Sequence, residues 1–141
     1  MSKSERRPAR KTSAPRTTAS APKTSTPRLS ADLKLAVAAA LDKKALDVIV
    51  LDLRKGSAFT DYFLICTGGN VRQVKAIADG VEEHFRKKGV KPALVEGYER
   101  GEWVLLDYFD FIVHIFTPAT REFYSLERLW GDAERIEIPA K

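Results

Sequence analysis

Residues 102–116, EWVLLDYFDFIVHIF, constrain the fold more than any other stretch of this chain. They are almost entirely large apolar or aromatic residues, interrupted by acidic residues and one histidine. Alternate side chains of Trp103–Asp107 would project to opposite faces of a strand, and both faces are apolar. We therefore predict strands at Glu102–Leu106 and Phe111–Phe116, with Asp110 in the turn between them. One face can be core while the other helps to meet a partner.

Helix and strand signals alternate along the rest of the chain. Ser30 is predicted to cap a first helix, Asn70 a long second helix that Gly89 ends, and Thr117–Pro118 to begin a last one. The buried stripe of that last helix is predicted at Phe123, Leu126, Leu129 and Trp130. The other predicted strands are Asp47–Leu53, Tyr62–Thr67 and Ala93–Val95, with Ile136–Ile138 as an optional short one. This order predicts an α/β domain with a single mixed sheet of about five strands and packed helices.

The first 29 residues differ from the rest in composition. Residues 1–30 hold eight Lys or Arg and one acidic residue, so the other 111 residues hold 16 basic and 18 acidic residues of the chain's 24 and 19. The segment 1–29 is rich in Ser, Thr, Pro and Ala, which is typical of a disordered tail. A solvated tail, a nonspecific RNA-contacting arm and an organelle transit peptide all fit this composition. We place the folded domain at 30–131 and a C-terminal extension at 132–141, and this body has no excess positive charge for nucleic acid.

The remaining composition limits the class of protein. Cys66 is the single cysteine, which excludes an intramolecular disulfide and a zinc site built from several thiolates. This usage is typical of a reducing, intracellular compartment. No apolar run approaches the roughly 18–20 residues that a membrane helix needs, so we expect no membrane span.

Few residues are candidates for chemistry. His84 is better explained as a surface residue, and His114 as a hydrogen-bonded strand residue. The turn at 68–70 could seat an anion on a helix N-terminus, although Gly-Gly is also a common joint between strand and helix. Magnesium-dependent nucleotidyl transfer would need carboxylates that project together, which the spacing does not give for Asp47, Asp52, Asp107 and Asp110. We predict no enzyme activity, cofactor or metal, with a nucleotidyltransferase-like metal enzyme as the alternative.

Seven ordered segments resemble the ribosomal silencing factor family, also called RsfS or Iojap-like. They are ALDVIVLDL (45–53), TDYFLICTG (60–68), RQVKAIAD (72–79), VEG (95–97), WVLLDY (103–108), VHIF (113–116) and FYSLERLW (123–130). Each segment alone is unremarkable, but seven in this order are specific. The resemblance implies an α/β fold that looks like a nucleotidyltransferase core lacking its catalytic carboxylates.

The resemblance also implies a function. Family members bind the large ribosomal subunit through its ribosomal protein fourteen, on the face that meets the small subunit. They thereby block joining of the subunits and repress translation in starvation or stationary phase, a steric mechanism without turnover. For this chain it implies a cytoplasmic protein, unless the tail is a transit peptide, and a free form that can be a homodimer. An RNA-binding protein that acts through its basic tail is the other alternative.

Trp103 matches the family motif and is the expected anchor of the partner contact, because Trp and Tyr are the residues that most often anchor interfaces. The residues expected around it are Leu105, Asp107 and Tyr108, with Lys75 and Arg72 as charged rim candidates. The alternative is that Trp103 simply fills core.

Two departures from the family pattern stand out. Phe109 occupies a position where the family usually has Gly, which would allow a positive φ in the tight turn. Either the turn differs, or Phe109 is an extra exposed aromatic for partner contact. At 67–70, TGGN replaces TG followed by Thr and Ser, and Asn70 keeps the helix cap.

Overall fold

The computed structural model describes residues 30–56 and 59–139, in which six strands and four helices follow one another. The helices are α1 (Ala31–Asp42), α2 (Val71–Arg86), α3 (Pro118–Tyr124) and α4 (Leu126–Leu129). The strands are β1 (Leu46–Asp52), β2 (Tyr62–Thr67), β3 (Leu94–Glu96), β4 (Trp103–Asp107), β5 (Phe111–Phe116) and β6 (Glu134–Glu137). The predictions for residues 1–29 lie outside these ranges.

All six strands belong to one mixed sheet in the order β3-β4-β5-β2-β1-β6. β2 and β5 run parallel, and the other neighbouring pairs are antiparallel. The predicted α/β class and single mixed sheet are confirmed, although the sheet has six strands where about five were expected. The sixth corresponds to the optional short strand predicted at Ile136–Ile138, which is observed at Glu134–Glu137, within the segment 132–141 that the sequence placed outside the domain. Ile136 of β6 pairs with Val50 of β1. Its four residues, ERIE, contain a single apolar side chain, which is a weak strand signal.

Helices α1 and α2 cover one side of the sheet, which we call the helix face. Ser30 caps α1 by accepting a hydrogen bond from the Leu33 amide at 3.1 Å, and Asn70 caps α2 through the Gln73 amide at 2.9 Å. The apolar sides of both helices pack on alternate residues of the strands, such as Leu64 on β2 and Val104 on β4. This layer is the main core of the protein.

The other side of the sheet, which we call the open face, is covered only in part. Leu126 of α4 packs there over a second core that includes Phe63 and Phe116. Trp103 and Leu105 of β4 are half-buried at its margin. The predicted alternation along β4 is therefore observed, with Val104 and Leu106 in the core and the other side of the strand toward the open face.

The last helix departs from its prediction because the chain turns at Ser125. That residue has a left-handed φ of 46°, which ends α3 and begins the short α4. A helical period counted across such a break assigns side chains to the wrong face. Phe123 and Leu129, which were predicted to be buried, are exposed, whereas Leu126 is buried as expected.

Candidate partner-binding surface

Aromatic rings gather around Trp103 on the open face. The ring centroid of Trp103 lies 5.0 Å from that of Phe116 on the neighbouring strand β5 and 4.7 Å from that of Tyr124 on α3. Phe123 packs edge-on against Tyr124, with 5.0 Å between their centroids. Tyr124 is 49% exposed and Phe123 is 80% exposed. We call Trp103, Phe123 and Tyr124 the aromatic surface.

The buried side chain of His114 on β5 contacts the indole of Trp103. Trp103 Nε1 donates a hydrogen bond to His114 Nδ1 at 3.1 Å. The imidazole is 4% exposed, and the ring of Phe63 stands nearly perpendicular to it at 4.5 Å. Burial lowers the pKa of His114 to about 4, because desolvation disfavours the charged imidazolium. The histidine is therefore neutral at physiological pH, and its predicted role as a hydrogen-bonded strand residue agrees with this geometry.

Arg121 fastens α3, and with it Tyr124, to the sheet. Its Nη1 donates to the Asp47 carbonyl at 2.6 Å and to Thr67 Oγ1 at 2.8 Å. Its Nε and Nη2 both lie 3.0 Å from Glu127 Oε2. The Asp47 carbonyl belongs to an irregular part of β1, where the pairing register shifts between Leu46 and Ile49 and Asp47 has a φ of 48°. One arginine thus connects α3 to β1, β2 and α4.

Three of the predicted site residues share the open side of β4. Leu105 and Asp107 follow Trp103 at alternate positions and are half-buried like it. Asp107 Oδ1 accepts a hydrogen bond from the Phe109 amide at 2.8 Å, so this carboxylate holds the turn that follows the strand. Sequence reasoning placed these three side chains together, and the structure does so as well.

Tyr108 does not join them, because it lies in the core of the helix face. It is 8% exposed, and its ring lies 4.6 Å from that of Phe85 on α2. Burial raises the pKa of Tyr108 to about 12. The expectation that Tyr108 surrounds Trp103 is therefore wrong, because Tyr108 continues the alternation of Val104 and Leu106, which face the helices.

Arg72 and Lys75 also lie across the sheet from the aromatic surface. Both belong to α2, which packs on the helix face. The Lys75 ammonium stands 5.5 Å above the ring of Tyr98, in the loop that precedes β4. The structure does not bring these two cations next to Trp103. The charged groups that flank Trp103 in the chain are Arg100 and Glu102, which form an exposed ion pair at 3.3 Å.

Phe109 occupies the tip of the β4–β5 turn. Its φ is 72° and its side chain is 74% exposed. The chain thus keeps the positive φ that Gly would favour and presents an aromatic side chain there as well. Thr60 Oγ1 donates to the Phe109 carbonyl at 2.7 Å, which ties this tip to the segment before β2.

Sequence reasoning missed Tyr124 and the partnership between His114 and Trp103. The hydrogen bond joins β4 to β5, and such a pair depends on a register that a single sequence does not give. The sequence signals for Tyr124 were its place in the segment FYSLERLW and the adjacent aromatics, FY, beside the predicted helix stripe. Its exposure follows from the turn at Ser125.

The groups considered for metal or anion chemistry have other partners here. Asp52 is held by Arg54, with 2.7 Å between Oδ2 and Nη2. The Gly69 amide donates to Gln73 Oε1 at 2.6 Å, so a side chain of α2 itself occupies part of the candidate anion site. A Cβ at Gly68 would lie 2.8 Å from the Val74 nitrogen, so close packing leaves no room for a side chain at this position. Within 30–56 and 59–139, the structure contains no group of three His, Cys, Asp or Glu residues arranged to hold a metal ion.

Comparison with known proteins adds independent evidence on identity. Residues 26–141 match the family described as "Ribosomal silencing factor during starvation". The chain belongs to the ribosomal silencing factor family. The predicted membership is confirmed, and the match extends past residue 131, where the sequence placed the end of the domain.

Individual relatives agree with the ribosomal silencing factor assignment. The Ribosomal silencing factor RsfS of Bacillus subtilis is 44% identical over 106 residues, which are 75% of this chain and 90% of that protein. The X-ray crystal structure of a Chromobacterium violaceum protein is similar with a TM-score of 0.69 and 42% identity, covering 71% of this chain and 83% of that one. A mouse protein named "Mitochondrial assembly of ribosomal large subunit protein 1" is 28% identical over 102 residues, which are 70% of this chain and 45% of that protein. None of the helices within 30–56 and 59–139 combines the length and the apolar character that a membrane span requires.

Proposed function

We propose that this protein binds the large ribosomal subunit through its ribosomal protein fourteen and blocks joining of the small subunit, repressing translation in starvation. Family membership supports the class of function, and the name of the mouse relative connects the family with the large subunit. The docking site in this proposal is the aromatic surface, together with Leu105 and Asp107 on the same side of β4. The mechanism is steric, and it requires affinity and position but no chemical step.

The observation that carries the docking site is the half-buried Trp103 inside a ring cluster that the sheet and α3 hold in place. A side chain with one surface fixed and another open loses little conformational freedom when a partner covers it. Tryptophan and tyrosine in such positions are the usual high-energy contacts of protein interfaces. The exposed rings of Tyr124 and Phe123 extend the same apolar area beside Trp103. The Arg100–Glu102 pair supplies a polar margin, as interfaces of this kind have.

Sedimentation with purified bacterial large subunits tests this proposal. The wild-type protein should pellet with large subunits and reduce the light-scattering signal of subunit joining when small subunits are added. Trp103→Ala should weaken binding by about 2 kcal/mol, roughly thirtyfold in affinity. Phe59→Ala is the control, because it removes an exposed aromatic side chain from the loop before β2, outside the aromatic surface.

A second variant guards against loss of folding. Trp103→Ala also removes packing in the second core, so its melting temperature must be measured and the binding assay run below it. Tyr124→Ala truncates a half-exposed ring on α3 and should weaken binding with less effect on stability. Normal pelleting by both folded variants would rule out the aromatic surface as the docking site. Failure of the wild-type protein to pellet would rule out the function itself.

A contribution of residues 1–29 to binding is supported by charge. Eight basic residues and one acidic residue in the first 30 positions contrast with a body that has a slight acidic excess. Ribosomal RNA is the polyanion that such a segment would contact near a docked protein, through release of counterions. This contact would add affinity to the docking of the body, whose own charge gives no reason to bind RNA.

A further inference from the structure

His114 is a buried polar residue to which the docking proposal assigns no role. It lies under the aromatic surface in a layer of apolar side chains that includes Phe63 and Phe116. A leucine would fill such a site without burying polar nitrogens. The choice of histidine therefore calls for a reason beyond packing.

The hydrogen bond to Trp103 defines the state of the imidazole. An indole Nε1–H can only donate, so His114 Nδ1 must be the acceptor and carry no proton. A neutral imidazole then has its proton on Nε2. Nε2 is buried and has no hydrogen-bond partner among the described residues. The histidine thus leaves one buried N–H unpaired and gains one bond, to the indole of Trp103.

This arrangement fixes the direction of the indole ring. The indole could otherwise rotate about its side-chain torsions toward solvent, since Trp103 is only half-buried. Its contacts with Phe116 and Tyr124 are tilted ring contacts, with 5.0 Å and 4.7 Å between centroids, and apolar contacts of this kind fix no single orientation. The bond to Nδ1 is directional, so it selects one orientation of the ring.

We propose that His114 is a positioning residue for partner binding, which orients the indole of Trp103 for docking by accepting its Nε1–H at Nδ1. This inference rests on the proposed function, in which Trp103 is the anchor. His114 itself stays below the surface and does not contact the partner. It acts by limiting the orientations of the Trp103 indole in the free protein, so that less conformational entropy is lost on binding. This is preorganisation of an interface side chain.

A double-mutant cycle with purified large subunits tests the coupling. His114→Leu should weaken binding about tenfold, the effect of losing one orienting hydrogen bond. Trp103→Phe keeps an aromatic ring but has no donor, so adding His114→Leu to it should cause no further loss. His114→Asn, which places an oxygen near the position of Nδ1, should restore part of the affinity. Equal effects of His114→Leu in the wild-type and Trp103→Phe backgrounds would overturn the inference.

The indole signal in ¹⁵N NMR separates positioning from general stability. The chain has two tryptophans, and Trp130→Phe identifies which indole N–H signal belongs to Trp103. His114→Leu should shift that signal upfield and speed its exchange with water, while the melting temperature changes little. An unshifted signal contradicts the hydrogen bond, and a fall in binding that follows only a fall in melting temperature contradicts positioning. The NMR measurement needs no ribosome, so it tests the hydrogen bond even if the wild-type protein fails to bind. Such a failure would count against the proposed function and not against the hydrogen bond.

Discussion

At the scale of single residues, Phe109 combines an unfavourable backbone conformation with an exposed side chain. Its φ of 72° lies in the left-handed region, where a bulky residue is disfavoured by about 1–2 kcal/mol relative to the ordinary conformation. The turn nevertheless keeps its hydrogen bonds, with the Tyr108 amide donating to the Phe111 carbonyl at 2.9 Å. The surrounding sheet therefore holds Phe109 in a conformation that glycine would adopt freely.

Phe109→Gly should stabilise the protein by about 1 kcal/mol, because it removes the left-handed strain. Phe109→Ala is the matched control: it also loses the aromatic ring but keeps a Cβ at positive φ. Thermal unfolding should show a rise of a few degrees for Gly and none for Ala. An equal rise in both would assign the gain to removal of the exposed ring. If Phe109 contacts a partner, both variants should bind large subunits more weakly.

His114 should make stability depend on pH in a defined window. Its pKa is lowered to about 4 in the folded protein, against about 6.5 when exposed. Between these values the unfolded chain binds a proton that the native protein does not, so the free energy of unfolding falls as pH drops from about 6.5 to about 4. The shift corresponds to about 3 kcal/mol. Urea unfolding of wild type and His114→Leu at pH 7 and pH 4.5 checks this, and a variant with the same loss as wild type would contradict it.

At the scale of elements, the polar contacts of α3 with the sheet converge on Arg121. Arg121 reaches β1, β2 and α4 at once, and its pair with Glu127 is largely buried. Arg121→Met keeps most of the side-chain volume but leaves Glu127 buried without its partner. Removing one member of such a pair costs about 3–5 kcal/mol. Chemical denaturation should show this loss, and Arg128→Met on the exposed side of α4 is the control.

The β6 strand offers the second test at this scale. Ile136 pairs with Val50, and the Ile138 amide donates to the Val48 carbonyl at 2.9 Å. Ending the chain after residue 133 would leave the β1 edge unpaired and expose part of the core. We expect a clear loss of thermal stability, whereas ending it after Ile138 should have little effect. A chain ending at 133 that melts like wild type would return the domain boundary to residue 131.

What the sequence could and could not predict follows from these elements. The runs at β2, β5 and α2 are long and strongly patterned, so their bounds were predicted to within a few residues. The break at Ser125 and strand β6 depend on tertiary contacts, because a serine in left-handed conformation and a charged ERIE strand carry weak local signals. The same limit applies to the site. Trp103, Leu105 and Asp107 follow from the period of one strand, whereas Tyr124 and His114 reach Trp103 from other elements.

At the scale of the whole molecule, the aromatic surface and the net positive charge belong to different parts of the chain. The body presents the aromatic surface on a sheet whose opposite side is filled by α1 and α2. The excess of basic over acidic residues lies before residue 30, in the part of the sequence that precedes α1. Docking by apolar contact and attraction by counterion release are therefore separable contributions, with different responses to salt.

Removing residues 1–29 should separate these two contributions. The truncated protein should unfold cooperatively at the wild-type temperature, because no apolar periodicity in the sequence crosses residue 30. Its binding to large subunits should persist but depend less on salt, since each lost phosphate contact lowers the slope of log K against log salt by about 0.7–0.9. Pelleting at several salt concentrations, with Trp103→Ala in the full-length chain for comparison, measures both effects.

Trp103→Ala should lower affinity at every salt concentration and leave the slope unchanged. A truncated protein with an unchanged slope would exclude RNA contact by the tail, and loss of cooperative unfolding would show that the tail is part of the fold.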